Sequence, residues 1–207
     1  MSAAPKIAVI YYSTWGHISK LAEGIVEGAK KVQGVQVDVF QFKETLPEEV
    51  RTKMYAAPIN ASIPEITPQK LTEYDGFLLG IPTRYGRAPA QVSTFFDSTG
   101  GIWKSGALVG KLAGIFFGTS GQHGGQETTS LTTIPWLTHQ GVLFVPVGYA
   151  SPIINEREEV IGGSPWGAGT LSWDDGSRQV HPKELQFAAF QGEQFAKYVA
   201  QFVKGRQ

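Results

Sequence analysis

The chain has 207 residues, with 18 acidic and 18 basic side chains in balance and no cysteine. The balance excludes a global field that would gather nucleic acid or an anionic membrane surface, and the missing thiols exclude disulfides, cysteine-based zinc or iron–sulfur sites and thiolate catalysis. Every apolar run falls short of the roughly 20 residues a membrane helix needs, so a cytoplasmic protein without an integral membrane segment is expected.

Ile7–Tyr12 is an almost continuous apolar run, the pattern of a strand buried on both faces of a parallel sheet. It breaks at Ser13–Gly16 and passes straight into an amphipathic helix whose apolar face is Ile18, Leu21, Ala22, Ile25, Ala29 and Val32, with Gly34 as the stop. Such a turn leaves free N–H groups and the positive end of the helix dipole for an anion. Ser13 and Thr14 add hydroxyls, and Gly16 permits close approach. There is no G-x-x-x-x-G-K-[ST] and no G-x-G-x-x-G after the strand, which excludes the P-loop and the Rossmann dinucleotide fingerprint. A hydroxyl-rich turn without Lys or Arg fits one terminal phosphate monoester, such as that of flavin mononucleotide (FMN). An ordinary hydroxyl-capped turn is the competing reading. His17, opening the helix, is assigned to the binding site; Trp15 either walls that site or packs in the core.

Gln36–Phe42 reads as the second strand, Gly76–Ile81 as the third, Leu112–Thr119 as the fourth and Val142–Val147 as the fifth, with a last helix from about Pro182. After the third strand come Pro82, Thr83, Arg84, Tyr85 and Gly86, whose backbone amides suit the uracil-like edge of a flavin. After the fourth come Thr119, Ser120, Gly121, Gln122, His123 and Gly124, a glycine-rich backbone suited to lying against a planar ligand. No second histidine or carboxylate stands at ligand spacing from His123, so no metal is expected. Trp103 sits in a polar, glycine-rich stretch, where a wholly buried indole would be unusual. His139, at a helix end, reads by itself as a dipole-facing structural histidine. Two stretches, 43–73 and 151–181, are too long for plain connections; they either fold over the sheet edges or make subunit contacts.

Strands alternating with helices imply right-handed crossovers and an α/β fold, a five-stranded parallel sheet in the flavodoxin-like order 2-1-3-4-5 with helices on both faces. One domain, 1–207, carries both insertions. Ligands of such sheets sit beyond the carboxyl ends of the strands at the switch point, so the loops after strands one, three and four should converge.

Eight blocks together resemble the WrbA family of flavodoxin-like NAD(P)H:quinone oxidoreductases: Tyr12-Ser-Thr-Trp-Gly-His-Ile18, Gly80-Ile-Pro-Thr-Arg-Tyr-Gly86, Phe95-Phe-Asp-Ser-Thr-Gly-Gly-Ile-Trp103, Gly106-Ala-Leu-Val-Gly-Lys-Leu-Ala113, Gly124-Gly-Gln-Glu127, Pro146-Val-Gly-Tyr149, Gly162-Gly-Ser-Pro-Trp-Gly-Ala168 and Asp175-Gly-Ser-Arg178. The resemblance implies noncovalent FMN, with Ser13 to Ile18 on the phosphate, Thr83 to Tyr85 on the isoalloxazine and Thr119 to Gly124 flanking ring or ribityl. It brings His139 to the flavin site and Trp15 and Trp103 to the substrate pocket. It departs from the family at Trp15, commonly tyrosine there, and at Gln122-His123. It also implies NADH or NADPH as donor, a quinone as acceptor, a homotetramer, and two-electron reduction by a ping-pong mechanism. A flavodoxin-type one-electron carrier and a non-catalytic flavoprotein scaffold are the competing functions. The neutral charge and long insertions speak against the carrier.

Overall fold

Buried runs alternating with amphipathic helices give a parallel sheet covered on both faces in the computed structural model, which describes residues 4–206. The strands β1 (Lys6–Tyr11), β2 (Gln36–Gln41), β3 (Gly76–Pro82), β4 (Leu112–Thr119) and β5 (Leu143–Phe144) lie in the order β2-β1-β3-β4-β5. All pair in parallel, with Ile7 opposite both Val37 and Gly76, and Gly76 opposite Leu112. This is the flavodoxin-like arrangement expected above.

The fifth position is built differently from the expected Val142–Val147. β5 has two residues, and Val145 adds one more bond, its N–H to Ala113 O at 2.8 Å. Pro146 has no N–H to continue the ladder, and the chain leaves the sheet. A sixth strand, β6 (Gly169–Leu171), pairs with the far half of β4 at Phe117–Thr119. Since β3 occupies the other edge of β4 as far as Gly118, β6 completes the position that β5 abandons.

Two apolar layers follow from the alternation of β side chains. On one face Ile10, Phe77, Leu79, Ile115 and Phe117 meet Val92 and Phe95 of α4 (Ala90–Asp97), Ile102 of α5 (Gly100–Lys104) and Leu137 of α6 (Gln126–His139). On the other, Ile7, Val9, Leu78 and Phe116 meet Leu21 and Ile25 of α1 (His17–Lys30) and Phe187, Phe195 and Val199 of α7 (Pro182–Gly205). Each wholly buried phenylalanine contributes roughly 1.5–3 kcal/mol. α1 and α7 approach so closely that a Cβ on Gly28 would stand 1.8 Å from Ala189 O.

Both insertions serve sheet edges. Residues 43–73 carry two short helices, α2 (Glu48–Lys53) and α3 (Pro68–Leu71), and lie along the outer edge of β2. There Gln41 N–H donates to Pro64 O and Ile66 N–H to Gln41 O, each at 3.0 Å, which removes an open edge. Residues 151–181 hold a 3₁₀ turn at Pro152–Asn155 and β6 itself.

Candidate functional site

The β1–α1 turn has the electronic character of an anion site. Gly16, just before α1, has φ 89° and no side-chain cap serves the helix; that left-handed backbone favours glycine. Ser13 Oγ is taken by Gly16 N–H at 3.1 Å. The amides of Thr14, Trp15, His17 and Ile18 find no acceptor among the described residues. Uncapped amides at the positive end of a 14-residue helix favour an anion. The turn itself lacks a cation, but the fold supplies one from 70 residues away: Arg84 Nη2 donates to Thr14 Oγ1 at 3.0 Å.

A cavity of about 280 Å³ opens in front of these amides, lined by Ser13, Thr14, Trp15, His17 and Ile18 from the first loop, Pro82, Thr83 and Arg84 from the second, and Thr119 and Ser120 from the third. The convergence expected at the sheet's carboxyl edge is therefore present. Met54, Gly118, Thr170 and Ser172 complete the lining; all but Gly118 come from the insertions, whose sequences gave no sign of this contact. A second cavity, about 310 Å³, lies on the far side of the turn between α1, β2 and residues 56–65. The loops after β3 and β4 do not reach it, so the smaller cavity is the better candidate for chemistry.

Several expected residues lie elsewhere in the single chain. Tyr85 and Gly86 follow the lining of the second loop without joining it, and Tyr85 is fully exposed. Gly121, Gln122, His123 and Gly124 form a turn closed by Gly124 N–H on Gly121 O at 3.1 Å, outside the lining. His139, at the end of α6, is exposed, and Trp103, on α5, is 57% exposed; neither lines the cavity.

The second loop's amides are mostly committed. Thr83 N–H donates to Gly118 O at 2.8 Å, Arg84 N–H to Arg87 O at 2.8 Å and Gly86 N–H to Thr83 Oγ1 at 3.0 Å. Among the described residues only the Tyr85 amide of this loop is left for a ligand. Sequence alone could not make that selection.

Buried polar hubs hold the loops. Gln126 donates to Thr119 Oγ1 and Thr170 O, each at 3.1 Å, and accepts from Gly163 N–H at 2.7 Å. Glu184 accepts from Gly162 N–H, Thr170 Oγ1 and His181 N–H at 2.8, 2.7 and 2.9 Å, and pairs with Arg178 at 3.0 Å. His17 Nε2 meets Arg178 O at 2.5 Å. On the opposite side Glu44 accepts from Tyr12 Oη at 3.0 Å, Gln91 at 2.9 Å and the amides of Thr45 and Leu46 at 2.8 and 3.0 Å. Burial works to raise the Glu44 carboxyl, but those donors hold it below its ordinary value of 4.5. Burial first, then Glu44, pushes the Tyr12 phenol up to about 12. A polar side chain at a helix start or inside an apolar pattern was the one sequence signal for these hubs, and it named no partner.

Comparison with known proteins places this architecture. Residues 5–155 match the family described as NADPH-dependent FMN reductase. The NAD(P)H quinone oxidoreductase YCP4 of Candida albicans is 50% identical over 97% of this chain and 70% of its own length. Quinone-oxidoreductase QR2 of Triphysaria versicolor is 51% identical over 91% of this chain and 92% of its own. The flavodoxin, WrbA-like protein from Agrobacterium tumefaciens superposes with TM-score 0.62 at 20% identity, covering 95% of this chain and 98% of that one, a likeness of fold.

Proposed function

Since the chain belongs to the NADPH-dependent FMN reductase family and is about half identical to quinone oxidoreductases, we propose that it is an FMN-dependent NAD(P)H:quinone oxidoreductase that reduces quinones by two electrons in a ping-pong order. The observation that carries this reading is the uncapped start of α1, with its unpartnered amides and Arg84 facing one cavity on which three loops converge. That donor set fits a phosphate monoester dianion: several N–H groups, one guanidinium and the helix dipole, with no carboxylate among the lining residues. FMN bound there would supply the ring that accepts hydride from NAD(P)H and passes it to a quinone.

The chain's own residues do the rest. The amides of Thr14, Trp15, His17 and Ile18 hold the phosphate, with the Ser13 and Thr14 hydroxyls beside them. The Tyr85 amide stands ready at the polar edge of the ring, where an N–H favours the negative charge of the reduced form. Pro82, Thr83, Thr119 and Ser120 shape the walls, and Ile18 closes the floor. Trp15 gives donor and acceptor a common flat surface, so they use one pocket in turn. No side chain is assigned an obligatory acid or base role.

His139 and Trp103 stand outside the single-chain cavity. A homotetramer, in which neighbouring copies bring them to each other's flavin, would give both residues the place the family resemblance implies. On this reading the chain is one domain and works in the cytoplasm.

The test is an anaerobic visible spectrum of the FMN-loaded protein. Bleaching by NADH or NADPH, recovery on adding benzoquinone, and parallel double-reciprocal plots support the proposal. Bound flavin that neither nicotinamide bleaches overturns it in favour of a one-electron carrier, and sedimentation equilibrium tests the tetramer.

A further inference from the structure

Among the described residues, three other than glycine have left-handed backbones: Tyr55 at φ 52°, Tyr85 at 55° and Trp173 at 59°. All three are aromatic. Each directly follows a residue that lines the 280 Å³ cavity, namely Met54, Arg84 and Ser172. A bulky side chain rarely adopts this conformation, because its Cβ crowds the following carbonyl. Residues held so tend to cluster around ligand sites.

Trp173 is the one of the three with a platform beneath it. Its N–H donates to Ser120 O, and that of Ser172 to Thr119 O, each at 3.0 Å, so the third loop fixes its backbone. Its ring packs 5.5 Å from the Arg178 guanidinium. That guanidinium is itself immobilised by Glu184 at 3.0 Å, Leu171 O at 2.9 Å and Val160 O at 2.8 Å. Trp173 nevertheless remains 41% exposed, so burial does not account for a tryptophan in a glycine-favouring conformation. A rigid, half-open indole above a charge-neutralised arginine presents a flat face to a planar group.

A cavity of about 280 Å³ lies at the small end for a single drug-sized ligand. It cannot enclose both a flavin and a whole dinucleotide, so the far end of the donor must lie at the rim. Resting on the quinone reductase reading above, we propose that Trp173 is a specificity residue for the electron donor and stacks on the purine of NAD(P)H outside the cavity.

The holoenzyme tests this through W173G and the conservative W173F. W173G should raise KM for NAD(P)H about tenfold, the worth of one aromatic stack, and leave kcat and the quinone KM unchanged. Calorimetry should show the same loss in NADP+ affinity. Reduced nicotinamide mononucleotide, which has no purine, should serve wild type and W173G equally, and W173F should recover most of the dinucleotide affinity. Unchanged dinucleotide parameters in W173G, or an equal loss with the mononucleotide, would overturn the assignment. A wild-type protein that oxidises neither nicotinamide contradicts the enzyme reading instead, and NADP+ calorimetry still judges Trp173.

Discussion

Between residues 43 and 73 the chain lies over β2 and touches the β1–α1 turn through single hydrogen bonds; between 151 and 181 it becomes part of the sheet. The first insertion ends in an exposed tip, with Ala57 N–H on Thr14 O at 2.7 Å and Met54 O accepting the Trp15 indole N–H at 2.9 Å. The second contributes β6 and is anchored by wholly buried Glu184. Both meet at Trp15, since Gly176 backs its ring so closely that a Cβ there would stand 2.8 Å from Trp15 Cδ2. The comparison teaches that one wall of the cavity is clipped on, whereas the other is framework. Loss of the framework should unfold the protein, and loss of the clip should mainly loosen the ligand.

The largest effect is expected at Glu184. E184A removes the partner of Arg178 and leaves that buried cation uncompensated, which should cost about 3–5 kcal/mol in urea denaturation. E184Q keeps part of the network and should cost less. Equal stability of E184A and wild type would remove the distinction between framework and clip.

Arg51 tests the clip. Its guanidinium holds Glu48 at 2.6 Å and Ala57 O at 2.7 Å, and its Nε lies 3.4 Å from Glu44. R51A should cost about 2 kcal/mol, the range of a lost charged hydrogen bond, while FMN affinity falls more than in a surface control such as K53A. An unchanged FMN dissociation constant would mean that the first insertion does not brace the turn.

A smaller effect should appear with pH. Glu44 is held below its ordinary 4.5 in the folded chain, so its contribution is complete above that value and fades as pH falls through the lower folded one. The stability gap between wild type and E44Q should therefore narrow on the acid side of pH 4.5. A gap constant down to strongly acid pH would refute this.

The smallest change is expected in W15F, which loses only the indole bond to Met54 O. About 1 kcal/mol of stability should go, with a larger proportional change in KM for the quinone. A selective loss of FMN would instead put Trp15 with the phosphate ligands.

The buried strands were the most legible part of the sequence. β1, β3 and β4 are covered on both faces and read as unbroken apolar runs, and β4 matches its expected ends at Leu112 and Thr119. The three loops that line the cavity follow from those strands by topology. β6 was not legible, because Gly169-Thr-Leu171 is three residues long within a glycine-rich stretch and carries no period. Its pairing is decided by Pro146, which ends β5 far upstream. Arg84 meeting Thr14, and Met54 and Ser172 reaching the cavity, are long-range consequences of folding that no local spacing encodes. The commitment of the Thr83, Arg84 and Gly86 amides is likewise a property of the folded loop.

The claim that the β1–α1 turn and Arg84 grip a phosphate monoester is tested most directly by fluorescence titration of the apoprotein with FMN and with riboflavin. The two ligands share one ring and differ only in the phosphate. FMN should bind at least about 100-fold more tightly, the worth of one or two charge-assisted hydrogen bonds, with the advantage shrinking in R84A. Equal affinities for the two flavins would contradict the account.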